Sequence, residues 1–337
     1  MSRSEAYGYA VARIRAMEHL LLDAGLYQRM LDAPDLSAVL KVLGETGYSR
    51  GFSGTEAAER YDAALEAELL ATYEDLETFV PDRELINIFR IPYDFHNVKV
   101  LLKSNFNAKS GGKKRWDLMT RLGTIPVDDL TVRVESEEFA LLPYGLAHLV
   151  PVCLSQWEQT RDLVEIERIL DRGLFEALYE EAAKLNEPGI LAWVQARIDS
   201  ENIRNLLRLR RFEVEPSKAL SFLHTKGTIA PDFLLQLMQE PFESWARLLS
   251  FSDVGQALSK VEDERDFDSL IVSLERTLDD YCREVLVKAR YSSNAPENVL
   301  AYLWGKETEV KNIRTILVSK GMSSGKDDVR RLMRRGY

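Results

Sequence analysis

Cysteine occurs only twice in the 337 residues, at Cys153 and Cys282, so neither a disulfide framework nor a four-cysteine zinc site can be built, and a reducing compartment is the natural reading. Histidine is nearly as scarce: His19, His96, His148 and His224 stand singly, with no His-Glu-x-x-His pair and no cysteine neighbour, so the common metal-ligand spacings are missing. Glycine and proline supply only 18 and 11 positions beside 45% hydrophobic and 29% charged residues, which excludes collagen-like and disordered chains. No Gly-x-Gly-x-x-Gly occurs. The three Gly-Lys pairs carry Asn107, Leu300 and Lys320 where a phosphate loop needs its first glycine, so that nucleotide site is excluded and no cofactor is expected. Positive charge is in deficit, 44 Lys and Arg against 54 Asp and Glu. The net charge of −10 opposes broad adsorption to nucleic acid or anionic lipid.

Residues 1–22 mix Arg3, Glu5, Arg13, Arg15 and Glu18 with apolar positions, the pattern of an amphipathic helix and not of a signal peptide. The one long uncharged run, 139–157, holds Pro143, Gly145 and Pro151 as well as His148, Ser155 and Gln156, and is read as buried or interfacial instead of membrane-spanning.

What the chain does contain is self-similarity. Asp94-Phe-His-Asn97-Val-Lys99-Val-Leu-Leu-Lys103 matches Asp199-Ser-Glu-Asn202-Ile-Arg204-Asn-Leu-Leu-Arg208 and then Glu309-Val-Lys-Asn312-Ile-Arg314-Thr-Ile-Leu317, at separations of 105 and 110 residues. A Glu-Arg pair (Glu59-Arg60, Glu167-Arg168, Glu275-Arg276) steps by 108 twice and is followed by Asp62, Asp171 or Asp279. Gly123-Thr124-Ile125 resembles Gly227-Thr228-Ile229, with Gly25 as a weaker first copy, and each turn region ends near Gly47, Gly145 or Gly255. Three units follow, 1–115, 116–222 and 223–337, the first carrying an extra N-terminal helix. That helix, with Arg13-Ile14-Arg15, reads as a degenerate further copy of the repeat's last helix, packing where a preceding unit would stand.

Apolar spacing between the markers is helical, as in Leu163, Ile166, Ile169, Leu170 and Leu174, and only Leu130-Thr-Val-Arg-Val134 alternates like a strand. The fold class is all-α. On a helix, Asp94 and Asn97 share the apolar face of Val98, Leu101 and Leu102 and point inward, while Lys99, Arg204 and Arg314 lie at its edge, within reach of a carboxylate. The nine residues Asp94, Asn97, Lys99, Asp199, Asn202, Arg204, Glu309, Asn312 and Arg314 are therefore expected to fix packing and not to catalyse, since no copy joins a nucleophile to a base. An acidic residue at the start of such a helix would also suit its dipole. The basic stretch 109–115 reads as a solvated linker, and the tail 326–337, five Lys and Arg against two Asp, as a fraying end.

These residues, with Arg90-Ile-Pro-Tyr-Asp94 and the N-terminal Tyr9-Ala-Val-Ala-Arg13-Ile-Arg15, resemble the C subunits of V/A-type rotary ATPases, a family similar to the vacuolar d subunit, over nearly the full chain. The resemblance implies three similar helical domains in a pseudo-threefold funnel. It also implies a non-catalytic central-stalk role between the central shaft and the membrane rotor ring, with no nucleotide and no small-molecule substrate bound. The place would be peripheral, on the cytoplasmic face of the membrane. The repeats alone are equally compatible with a solenoid, and a scaffold binding a peptide or RNA is the alternative function. Apolar turns near each second glycine marker, with Tyr48 and Phe52, Tyr144, Leu146 and Leu149, and Phe251, are the candidate ring contact, because in a pseudo-threefold body they would emerge at one level.

Overall fold

The computed structural model describes residues 3–52, 57–109, 111–262, 266–292, 294–322 and 325–335, and among them no strand occurs. The side chains of Glu59 and Arg60, part of one repeat marker, lie outside the described residues. The first repeat contains α1 (Arg3–Glu18), α2 (Ala24–Asp32), α3 (Leu36–Leu43), α4 (Ala57–Glu77) and α5 (Arg83–Lys109). Next come α6 (Val127–Glu135), α7 (Leu146–Thr160), α8 (Leu163–Lys184) and α9 (Pro188–Arg211). The short α10 (Pro216–Ala219) leads to α11 (Pro231–Gln239), α12 (Phe242–Leu248), α13 (Asp253–Leu258), α14 (Phe267–Val287), α15 (Glu297–Gly321) and α16 (Lys326–Leu332). Leu130 to Val134 alternates in sequence yet belongs to helix α6, whose buried Leu130 and Val134 are one helical turn apart.

The helix starts are legible in the caps. Asp23, Asp35, Asp162, Ser252 and Asp266 each accept a hydrogen bond from a first-turn N–H of the following helix, satisfying a donor that has no partner within the helix. Burial follows one face in the peripheral helices, whereas α15 is buried nearly all round. In α1, Tyr7, Ala10, Val11 and Ile14 are buried, and in α7 Leu146, Val150, Cys153 and Trp157 are. The uncharged run 139–157 is thus a short 3₁₀ turn followed by an amphipathic helix, with Trp157 stacked on Phe106 at a 4.4 Å ring separation. Among the described residues no helix is long and apolar enough to cross a membrane.

The chain forms two compact units, Met1–Arg83 with Pro241–Tyr337, and Glu84–Glu240. These do not follow the repeat joints. In the first unit α15 packs on α1, α3 and α4, and α14 packs on α15 and α16, so the front of the first repeat sits against the last helix of the third. In the second, α9 packs on α8 and α11, and Phe89 of α5 stacks on the fully buried Trp193 of α9 at 5.2 Å. Aromatic pairs of this kind contribute about 0.5–1.5 kcal/mol beyond their area.

Residues 326–335 of the tail are held against the chain and do not read as a frayed end. Lys326 Nζ lies 2.8 Å from Asp32, Arg330 donates to Gln28 Oε1, and Arg334 Nε sits 2.8 Å from Asp279. Lys326, Arg330 and Arg334 are thus paired with the chain's own acidic residues.

Candidate site: a repeated carboxylate and amide clamp

The motif residues lie in the middle of α5, α9 and α15, not in the first turns, so the helix dipole does not explain the carboxylates. Their donors come from elsewhere. Asp94, fully buried, accepts from the N–H of Thr124 (3.1 Å) and its hydroxyl (2.7 Å) through Oδ2, and from the N–H of Ile125 (2.9 Å) through Oδ1. Asp199 repeats this on Thr228 (N–H 3.0 Å, hydroxyl 2.5 Å) and Ile229 (N–H 3.2 Å). Burial pushes both carboxyls above their ordinary range, and the turn hydrogen bonds pull against it.

The asparagine is bidentate on a single residue each time. Asn97 donates to the Thr120 carbonyl (2.8 Å) and accepts from its N–H (2.9 Å). Asn202 does the same to His224 (2.9 and 2.8 Å), and Asn312 to Arg334 (2.8 and 2.9 Å). In the first two copies one helix therefore holds an incoming stretch of loop at two points, as a backbone ladder would, whereas α15 holds Arg334 through Asn312 and a different segment through Glu309.

The same geometry explains the glycines. A Cβ on Gly123 would stand 2.3 Å from Asp94 Oδ1, and one on Gly227 2.1 Å from Asp199 Oδ1, so only glycine lets the turn approach.

Glu309 departs from the pattern. Its Oε2 accepts from the N–H of Leu22 (2.5 Å), and its Oε1 from the Tyr48 hydroxyl (2.6 Å) and Lys306 Nζ (3.1 Å). Leu22 stands two residues before α2, as Ile125 and Ile229 stand two before α6 and α11. The first copy of the turn is therefore at Leu22, and Gly25, one residue into α2, is not the counterpart of Gly123. The N-terminal helix α1 packs on α15, and it is α15 that supplies the carboxylate on this first turn. The longer Glu309 suits a turn that carries Leu20 where the others have glycine.

The edge cations are paired, two of them on the repeat's marker acids: Lys99 with Asp171 (2.5 Å), Arg314 with Asp62 (2.7 Å), and Arg204 with Glu201 on its own helix (3.2 Å). Among the described residues no group of three or more His, Cys, Asp or Glu is placed to hold a metal ion.

The candidate ring-contact residues divide. Tyr48, Phe52 and Leu146 are buried, and the Tyr48 hydroxyl donates to Glu309. Tyr144 is half-buried with its hydroxyl 3.2 Å from Thr124 Oγ1, at the edge of the Asp94 clamp. Leu149 is half-buried and its Cδ1 packs against Gly173. Phe251 alone of the six is open, at 69% exposure, and Leu141, which opens the same turn region in the second repeat, is 74% exposed. These tyrosines look like surface groups in sequence because their partners lie 20 and 261 residues away. Lys306 and Arg334 leave no repeat signal; Thr124 and Thr228 do, following glycine in both copies.

Fold and clamp together define an all-helical internal-repeat protein whose polar motif is turned inward onto its own backbone. Comparison with known families identifies it further. The model of the ATP synthase (C/AC39) subunit family matches residues 10–332, and the chain belongs to that family. It is 25% identical to the C subunit of the V-type sodium ATPase of Enterococcus hirae, over 96% of this chain and 97% of that protein. It is 23% identical to the C subunit of the A-type ATP synthase of Methanocaldococcus jannaschii (97% and 86% covered) and 24% identical to that of the V-type ATP synthase of Thermus thermophilus (63% and 66% covered). By family, the chain is thus a C subunit of the V/A-type rotary ATPases.

Proposed function

We propose that the chain is the non-catalytic central-stalk subunit of a rotary V/A-type ATPase, coupling the central shaft to the membrane rotor ring, with its three repeats arranged as a pseudo-threefold funnel on the cytoplasmic face. The family match along 10–332 carries this reading. The clamps support it: each motif carboxylate holds the turn of the next repeat, and the third holds that of the first, which is the connectivity a closed body requires. A torque-transmitting adaptor needs rigid internal packing and two partner faces, and the inward clamps serve the first need. Phe251 and Leu141 are strongly exposed side chains of the apolar turns, and we assign the ring contact to them. Purification of the tagged chain from its own cells, followed by native mass spectrometry, tests the reading. It should bring down the shaft and catalytic subunits of the ATPase. A chain recovered with RNA or an unrelated peptide and no ATPase subunit refutes it.

A further inference from the structure

The third clamp differs from the other two in connectivity and in chemistry. Asp94 and Asp199 hold threonines 30 and 29 residues further along the chain, whereas Glu309 holds a turn 287 residues back. A broken short-range clamp leaves its partners tethered nearby, and the entropy of closing a longer loop is greater. Where the other turns offer a threonine, this one has Leu21, whose N–H is already bonded to the Glu18 carbonyl. A phenol and an ammonium take the place of the missing donors. We propose that this third clamp is a latch, a separable closure that holds residues 22–52 on α15, and that Lys306 is its positioning residue.

Lys306 is placed to do so. It is nearly buried, its Nζ lies 3.1 Å from Glu309 and 3.2 Å from Glu68 on α4, and the same atom stands 4.3 Å from the centre of the Tyr48 ring. One ammonium thus joins the clamp carboxylate, a neighbouring helix and the aromatic residue of the held turn. Further polar links of residues 22–52 to this end of the chain are Lys320 Nζ on the Leu31 and Ala33 carbonyls (2.8 and 2.6 Å), Arg330 on Gln28, the exposed Lys326 to Asp32 pair, and a hydrogen bond between Tyr27 and Asn312 of α15. Helices α1 and α4 pack on α15 directly, as does α3 within residues 22–52, so parting of this segment breaks the α3 contact while both flanks stay in place. The latch concerns this chain alone and does not depend on the rotary reading.

Hydrogen–deuterium exchange of the full chain tests it, following peptides that cover 22–52, 124–135 and 228–239. Lys306→Met leaves the carboxylates without their cation, and exchange in 22–52 should rise by roughly tenfold or more with the other two segments unchanged. Adding Glu309→Gln to it should return part of the protection, which mere loss of packing would not. Unchanged protection in 22–52, or an equal loss in all three segments, overturns the proposal. If Lys306→Met does not fold, the unmodified chain in rising sub-denaturing urea decides: 22–52 opening ahead of the other two supports the latch, and a single common opening overturns it.

Discussion

Replacing Asn202 by alanine removes both bonds of the middle clamp. The side chain is fully buried and its partner His224 is buried too, so the freed N–H and C=O of His224 lose their partner in a buried bond. Each buried backbone group left unpaired costs about 1–3 kcal/mol, giving about 2–5 kcal/mol for the pair. The first and third clamps have the same bond lengths but hold half-buried residues, Thr120 and Arg334, which solvent can rescue. Asn97→Ala and Asn312→Ala should therefore cost less, about 1–2 kcal/mol each. Urea denaturation followed by circular dichroism, with separate transitions fitted if the two units unfold apart, measures the order. Equal losses in the three variants, or a cost at Asn202 below about 0.5 kcal/mol, would refute the idea that buried backbone pairing is what the asparagine supplies.

Three further outcomes follow from the same geometry. Gly227→Ala should cost about 1–3 kcal/mol by driving a Cβ into Asp199, whereas Gly47→Ala, with nothing within 4 Å of the new Cβ, should stay within about 0.5 kcal/mol of wild type; thermal melts compare them. Leu146→Asp should fail to fold stably because Leu146 is fully buried, while Phe251→Asp and Leu141→Asp should melt like wild type and bind rotor-ring preparations more weakly; retained binding in both removes these turns from the contact. Burial pushes the His224 imidazole down to about 4, with both ring nitrogens buried and unpartnered. Since the unfolded chain takes up this proton near pH 6.5, the stability it contributes is full above that pH and is lost toward pH 4. The loss is about 2 kcal/mol by pH 5, and His224→Phe should abolish that part of the pH dependence of the urea midpoint. The raised Asp94 and Asp199 titrate with the opposite sign, their penalty being relieved as the pH falls, and they remain as background in both proteins.

The helical class and the inward-facing acid and asparagine were legible in the sequence, because each rests on a local property. Helical periodicity puts residues three and four apart on one face, and a polar pair on an apolar face must find partners inside. The recurrence of Gly-Thr-Ile at matching distances from the motif even carried the identity of the first two partners. What misled was also local. A basic tail looks free when the acids that bind it, Asp32 and Asp279, are far away in sequence, and Gly25 looks like a turn glycine when only residue type is compared.

The tertiary structure decided which turn each carboxylate holds. Asp94 and Asp199 reach forward along the chain and Glu309 reaches back to Leu22, a choice that no spacing announces because the partner is set by which helices share a core. It also decided that Tyr48 and Leu146 are interior while Phe251 is exposed, although all three lie close to a glycine marker in sequence. Hydrophobicity and periodicity are properties of a segment and travel with it. Burial, pairing and availability to a partner are properties of what packs against that segment, and they exist only once the chain has closed on itself.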